Sequence, residues 1–173
     1  MILKFDFDLD VYHLLDIWSK IKNKQVNYKD DRFDKASSHW KIVRHDFDYA
    51  KELSKIFNVK SRPRFYTLDA NTILNQHTDF GTLCSLNFIL SDDPAPVIFD
   101  DIEFTYKYAL LDTTTSHGVI NNDKDRLLFK MSIFNETYDE VKNKLIKNSN
   151  LKHFDMYPHF GETVFSYTKN ASK

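Results

Sequence analysis

The chain has 173 residues, of which 42% are hydrophobic and 15% aromatic, and its formal net charge is −1 at neutral pH. A chain of this composition can bury a core, which excludes a largely disordered protein, and its length predicts one domain over residues 1–173. Its 24 basic and 25 acidic residues are scattered rather than gathered in a basic stripe, which argues against nucleic-acid binding. No apolar stretch approaches the ~20 residues of a membrane span.

The single cysteine and the first residues bear on the compartment. Cys84 has no partner for an intramolecular disulfide, which fits a reducing cytoplasm. It lies in a hydrophobic run, so we expect a buried core residue rather than a catalytic thiol. The start, "MILKFDFDLD", lacks the basic residues and apolar run of a secretory signal. The sequence therefore predicts a cytoplasmic protein.

The first predicted elements are two helices within a mainly helical N-terminal part that reaches to about residue 60. Residues 11–22 and 46–57 place apolar side chains at helical spacing. Asp46 or Asp48 is suited to cap the start of the second helix. The polar segment between them, "NKQVNYKDDRFDKASSHWK", predicts a loop.

From about residue 62 to 135, short apolar runs alternate with turn residues, which is typical of strands. Eight strands are predicted, at 63–68, 72–79, 82–90, 96–100, 103–107, 108–112, 115–120 and 126–134. Their number and spacing favour a mainly β fold with flanking helices, of the jelly-roll or cupin-like kind. A third helix is predicted at 137–148, and an aromatic-rich tail over the rest of 136–173 is expected to pack back onto the domain.

A histidine and an aspartate lie two residues apart in the second predicted strand. His77 and Asp79 would face the same side there, because strand side chains alternate. His117 lies on the seventh predicted strand, which neighbours the second in an eight-stranded jelly roll. Two imidazoles and one carboxylate form the facial triad of non-haem Fe(II) oxygenases. The sequence therefore predicts a metal site at His77, Asp79 and His117.

The His-x-Asp pair alone is a weak signal. With seven histidines in the chain, a second match occurs at His153 and Asp155. That pair lies beyond the predicted strands, and only His159 follows it. We interpret it as a structural or solvated pair.

Arg126 opens the eighth predicted strand, nine residues after His117. A guanidinium grips a carboxylate with two parallel hydrogen bonds and stays charged when enclosed. Lys130 and Ser132 share its face of the strand and are further candidates. A surface cation that caps a turn is the alternative for Arg126.

With "HTD" at 77–79, "SHGV" at 116–119 and Arg126, residues 62–134 resemble the 2-oxoglutarate- and Fe(II)-dependent oxygenases. The branch they resemble most contains the prolyl and aspartyl/asparaginyl hydroxylases. This resemblance implies a double-stranded β-helix core buttressed by the N-terminal helices. It implies Fe(II) on the triad and 2-oxoglutarate with its distal carboxylate at Arg126, or at Lys130 as in members that use lysine.

The resemblance also implies further roles and a reaction. Tyr66 and Asn87 occupy positions that can help to hold 2-oxoglutarate, with a core aromatic as the alternative for Tyr66. The implied reaction hydroxylates a C–H bond of a free or peptidyl amino acid, uses O2, and yields succinate and CO2. Asp79 argues against halogenases, in which a small residue replaces the carboxylate.

Cations near the start of the barrel bear on the substrate. Arg44, Arg62 and Arg64, with His39 and Trp40, would suit an amino-acid carboxylate or an acidic peptide side chain. Surface charges and a core tryptophan are the alternative interpretation. Two other function classes stay open from the residues: a cupin-type metal enzyme without 2-oxoglutarate, and a non-catalytic β-barrel used for binding or assembly.

Overall fold

The structure of the protein is a computed structural model that describes residues 1–27, 40–92 and 95–157, and the backbone of residues 165–168. The helices are α1 (Val11–Ile21), α2 (Asp48–Ile56), α3 (Tyr138–Lys147) and a short 3-10 helix (Lys22–Lys24). The strands before the predicted core are β1 (Ile2–Phe5), β2 (Val26–Asn27) and β3 (Trp40–Val43). The core strands are β4 (Ser61–Leu68), β5 (Ile73–His77), β6 (Cys84–Ile89), β7 (Val97–Phe99), β8 (Ile102–Phe104), β9 (Tyr108–Asp112), β10 (His117–Ile120) and β11 (Arg126–Ile133). Two strands follow α3, namely β12 (His153–Tyr157) and β13 (Phe165–Thr168).

The strands form two antiparallel sheets. The large sheet has the order β13-β12-β1-β9-β6-β11-β4-β3-β2, and the small sheet has the order β5-β10-β7-β8. The second and seventh predicted strands, β5 and β10, are neighbours as expected. The fold is therefore mainly β, a sandwich of the jelly-roll kind with three helices.

Side chains alternate between the two faces of each strand, so the large sheet has an apolar layer on each face. Tyr66 and Leu128 of this sheet pack with Val97 and Phe99 of the small sheet. On the opposite face, Phe65, Phe88 and Phe129 pack against buried residues of all three helices, among them Leu14, Leu53 and Leu145. The helices thus support the large sheet from outside, and the space between the sheets remains for the polar residues described below.

The predicted helices and the eight predicted core strands correspond to α1–α3 and β4–β11, with several ends displaced. One displacement matters for function: β5 ends at His77, so Asp79 lies in the following loop and not on the strand. The second displacement concerns α2, which starts after Phe47 without a side-chain cap, while Asp48 lies in its first turn. Neither aspartate therefore caps this helix.

The N-terminal part is less helical than predicted. β1 pairs with both β9 and β12, so the first residues belong to the large sheet. The predicted loop between the first two helices contributes β2 and β3, and its residues 28–39 lie outside the described part. His153 and Asp155, expected beyond the strands, lie on β12. None of the described helices is long and apolar enough to cross a membrane.

Gly118 lies where β10 departs from regular pairing with β5, next to His117. A Cβ at this position would meet the Leu74 carbonyl oxygen at 2.8 Å and the Gln76 nitrogen at 3.2 Å. Because both atoms are backbone, a Gly118→Ala variant must push the two strands apart. We expect a loss of about 1–3 kcal/mol in the free energy of unfolding and weaker metal binding, measured by urea denaturation and calorimetry.

The control for this prediction is Ile120→Ala on the same strand, since Ile120 is 49% exposed. It should cost less than about 1 kcal/mol. Equal stability of Gly118→Ala and the wild type would contradict the close approach of β10 to β5.

Candidate metal centre

The two histidines are brought together by strand pairing. His77 ends β5, His117 begins β10, and the two residues are register partners. Their ring centroids lie 4.7 Å apart. Asp79 reaches the same place from the loop after β5, because its backbone N–H donates to the Thr113 carbonyl oxygen at 2.9 Å. Thr113 in turn donates its hydroxyl to the Thr82 carbonyl oxygen at 2.9 Å, which fixes the other end of the loop.

The separations of the three side chains suit one metal ion. Asp79 Oδ1 lies 3.5 Å from His77 Nε2 and 3.9 Å from His117 Nε2. One ligand atom from each residue lies within 4.8 Å of the others, and no other such cluster occurs among the described residues. Ligands with bonds of about 2.1 Å to a common ion are about 3–4 Å apart. Two imidazoles and a carboxylate are also the ligand set that suits Fe(II) with open positions.

Hydrogen bonds prepare both imidazoles as ligands. His77 Nδ1 donates to the Asn75 carbonyl oxygen at 2.8 Å, and His117 Nδ1 donates to the Thr115 carbonyl oxygen at 2.9 Å. Because a carbonyl only accepts, each ring carries its proton on Nδ1 and presents the Nε2 lone pair towards Asp79. Burial lowers the pKa of His117 to about 4, against the opposing effect of Asp79. His117 is therefore neutral at neutral pH.

Lys130 of β11 holds the second oxygen of Asp79. Its Nζ donates to Asp79 Oδ2 at 2.5 Å, and the two side chains are 12% and 19% exposed. Burial acts to raise the pKa of Asp79, but the Lys130 ammonium holds that pKa well below its ordinary value. Burial likewise opposes the charge of Lys130, yet Asp79 raises its pKa. Asp79 therefore remains ionised and presents only Oδ1 to the imidazoles.

Removal of this lysine should be costly in the metal-free protein. A Lys130→Met variant leaves the Asp79 carboxylate enclosed without its cation. Breaking such a pair costs about 3–5 kcal/mol when it is fully buried, and we expect about 2–4 kcal/mol here by urea denaturation. The matched control is Lys20→Met, whose pair with Asp16 is largely exposed and should contribute less than about 1 kcal/mol. Equal losses in the two variants would contradict the buried pair.

Arg126 lies deeper between the sheets and is 2% exposed. One terminal nitrogen donates to the Ala95 carbonyl oxygen, and the other donates to the Tyr106 hydroxyl at 3.2 Å. Its Nε has no hydrogen-bond partner, and no carboxylate of the described chain lies within 4.0 Å of it. A buried guanidinium without a counter-charge is unfavourable, because desolvation is not offset. The geometry therefore fits an anion beside Arg126.

Asn87 lies in the same interior and is 4% exposed. Its Nδ2 donates to the Tyr106 hydroxyl at 3.2 Å, while its Oδ1 has no partner. It is the register partner of Lys130. The predicted residues Arg126, Lys130 and Asn87 therefore lie on the inner face of the large sheet, towards the small sheet. Tyr66 contributes its ring, 5.8 Å from Lys130 Nζ, and also packs on Trp40 at 5.7 Å between ring centroids.

The remaining candidates have other positions. His39 lies outside the described residues, and Arg44 is exposed beyond β3. His153 Nε2 lies 3.3 Å from Asp155 Oδ1 on β12, and among the described residues no third ligand joins them. Cys84 is buried as expected, and burial raises the pKa of its thiol to about 12, so it is not a nucleophile.

Sequence analysis missed Tyr106 and Thr113. Tyr106 is 6% exposed and accepts hydrogen bonds from both Arg126 and Asn87. No spacing motif distinguishes it from the other tyrosines, so only the fold reveals its position. The same is true of Thr113, whose backbone oxygen positions Asp79.

No protein-family model matches the chain, and no curated protein matches it in sequence. A solved structure does match it: a prolyl-4-hydroxylase from Pseudomonas putida, with a TM-score of 0.59 over 76% of this chain and 91% of that chain. The two proteins share a fold. They are 10% identical in sequence, so the likeness concerns the fold alone.

Proposed function

We propose that the protein is an Fe(II)- and 2-oxoglutarate-dependent dioxygenase that hydroxylates a C–H bond of a free or peptidyl amino acid. The balanced reaction is R–H + 2-oxoglutarate + O2 → R–OH + succinate + CO2. Half of the oxygen enters the product and the other half enters succinate. The fold shared with a prolyl-4-hydroxylase and the His77, Asp79 and His117 cluster support this class of enzyme.

The observation that carries the proposal is the buried charge of Arg126, which has no counter-charge and lies in the same interior as the candidate metal ligands His77, Asp79 and His117. Arg126 and Lys130 are four residues apart on β11, about 13 Å between their Cα atoms, and Lys130 contacts Asp79. Because Asp79 already neutralises Lys130, an anion that reaches from Arg126 to this place needs one charge for the guanidinium and a second for the metal that the three ligands would hold. A dicarboxylate such as 2-oxoglutarate meets this requirement, whereas a monoacid satisfies only one end.

In this proposal His77, Asp79 and His117 hold Fe(II) through two nitrogens and one oxygen. When bound, the metal supplies the reaction with dioxygen, which protein side chains do not provide. Arg126 binds the distal carboxylate of 2-oxoglutarate with Nε and a terminal nitrogen. Asn87 and the Tyr106 hydroxyl, which accepts hydrogen bonds from both Asn87 and Arg126, would flank that carboxylate, and the Tyr66 ring near Lys130 would line the co-substrate site.

The strand order also supports a more specific architecture. We propose that β4–β11 form a double-stranded β-helix within one domain over residues 1–173. The first, third, sixth and eighth of these strands lie together in the large sheet, and the other four make up the small sheet. This alternation between sheets winds the chain around the space that contains His77, Asp79 and His117.

The proposal is tested by succinate formation. Purified protein is given Fe(II), 2-oxoglutarate and O2 with candidate amino acids and short peptides, and succinate and CO2 are measured. We expect one class of substrate to raise succinate formation well above the substrate-free rate, with one hydroxylated product per succinate. Metal binding without any dependence on 2-oxoglutarate would contradict the proposal and favour a cupin-type metal enzyme, while absence of metal binding would favour a non-catalytic barrel.

A further inference from the structure

The paired strands β4 and β11 place basic residues on the inner face of the large sheet, which is the face towards the small sheet and the candidate metal ligands. The two strands pair without a break from Ser61–Ile133 to Leu68–Arg126. Phe65 and Phe129 of this ladder pack under the helices. Side chains alternate along a regular strand, so Arg62 and Arg64 face the other way, towards the small sheet.

The charges on this inner face are not balanced. Arg64 is the register partner of Lys130, and like charges directly opposite each other destabilise a sheet. Asp79 neutralises Lys130. Among the described residues, no carboxylate lies within 4.0 Å of the Arg62 or Arg64 guanidinium. Arg62 and Arg64 therefore remain on the inner face of the large sheet without a carboxylate partner among the described residues.

Neighbouring groups are arranged for a polar ligand at the same place. Arg62 lies over the Phe134 ring, 4.6 Å from its centroid, which orients the guanidinium plane. Ser132 is the register partner of Arg62 and of Ser85. Ser85 is fully buried, yet its hydroxyl has no hydrogen-bond partner. The buried Ser85 hydroxyl therefore lacks an acceptor. The half-buried Arg64 and the exposed Arg62 on the same face have no carboxylate partner among the described residues and are free to bind an anionic ligand.

We propose that Arg62 and Arg64 bind an oxyanion group, a carboxylate or a phosphate, of the compound that is hydroxylated. This inference rests on the proposed function and narrows its substrate to one that carries an anionic group. Arg126 is assigned to 2-oxoglutarate and Lys130 to Asp79, so neither serves this group. A neutral substrate would leave both guanidinium charges without a counter-charge.

Equilibrium binding tests the assignment without turnover. Protein loaded with Co(II) and 2-oxoglutarate under argon is titrated with free amino acids, small dicarboxylic acids and phosphate monoesters, each beside its neutral amide or alcohol. We expect an acid that binds at least about ten-fold more tightly than its neutral counterpart. Arg62→Ala and Arg64→Ala should each weaken that acid at least about ten-fold, with Co(II) and 2-oxoglutarate affinities unchanged. Preference for carboxylates or for phosphates identifies the group.

Three results would overturn the proposal: no acid binds, neutral counterparts bind as tightly, or both variants retain the wild-type affinity. Lys51→Ala, on the helical side of the large sheet, is the control and should change nothing. Failure of the wild type to bind Co(II) or 2-oxoglutarate would instead count against the proposed function.

A metal-free measurement separates these two failures. Arg64→Gln removes the charge opposite Lys130, so it should raise the Tm of the metal-free protein by about 1–3 °C. Lys51→Gln should not raise it. An unchanged or lower Tm for Arg64→Gln would contradict the claim that Arg64 carries an uncompensated positive charge, whether or not the protein binds a metal.

Discussion

A His77→Ala variant is expected to lose Fe(II) binding and, with it, all succinate formation. The ion would retain only His117 and Asp79, and Asp79 offers one oxygen because Lys130 holds the other. Changes to groups that merely orient metal ligands cost about 10–100-fold in affinity, so loss of a ligand should exceed about 100-fold. Anaerobic calorimetry with Fe(II) measures this directly.

The chain contains its own control for this experiment. His153 belongs to the second His-x-Asp pair and lies 3.3 Å from Asp155. His153→Ala should bind Fe(II) as the wild type does, because no third ligand joins that pair among the described residues. If His153→Ala lost the metal and His77→Ala retained it, the metal centre would be assigned to the wrong place.

Replacement of Arg126 should separate co-substrate binding from stability. In Arg126→Met, 2-oxoglutarate affinity should fall at least about 30-fold, since a charge-assisted hydrogen-bonded pair is lost. The free energy of unfolding of the metal-free protein should nevertheless stay the same or rise by about 1–2 kcal/mol, because an uncompensated buried charge is removed. Calorimetry on the metal-loaded protein and urea denaturation of the metal-free protein measure the two effects.

Two further variants define the outcome for Arg126. Arg126→Lys keeps the charge but not the fork of donors, so its affinity for 2-oxoglutarate should lie between those of Arg126→Met and the wild type. Arg62→Met, an exposed arginine on the same inner face, should leave that affinity unchanged. Wild-type 2-oxoglutarate affinity in Arg126→Met would refute the assigned role.

The parts of the fold that follow from local pattern are predictable from sequence. Alternation along 63–68 and 126–134 predicts two strands, and the structure has them as β4 and β11 with one face under the helices. The short strands β1, β2 and β3 were missed because "ILKF" and "WKIV" are brief and lie next to polar segments. Their pairing with β9, β12 and β4 depends on distant partners that no local pattern shows.

The site follows the same division. The proximity of His77 and His117 could be predicted from the sequence, because the strand order of a jelly roll makes β5 and β10 neighbours. The position of Asp79 depends instead on a loop hydrogen bond to Thr113, and the Lys130 contact depends on a flexible side chain from another sheet. Contacts of these kinds leave no periodic trace in a sequence. Tyr106 is a third example, since its hydroxyl joins Arg126 and Asn87 across separate strands.

The most direct test of the account is an anaerobic titration of the wild-type protein, first with Fe(II) and then with 2-oxoglutarate, followed by visible absorption. Chelation of a ferrous ion by the 2-oxo acid produces a charge-transfer band that neither component shows alone. We expect the band in the wild type, its absence in His77→Ala, and a much higher 2-oxoglutarate concentration for half-saturation in Arg126→Met. A wild-type protein that binds Fe(II) but develops no band at saturating 2-oxoglutarate would contradict the central claim.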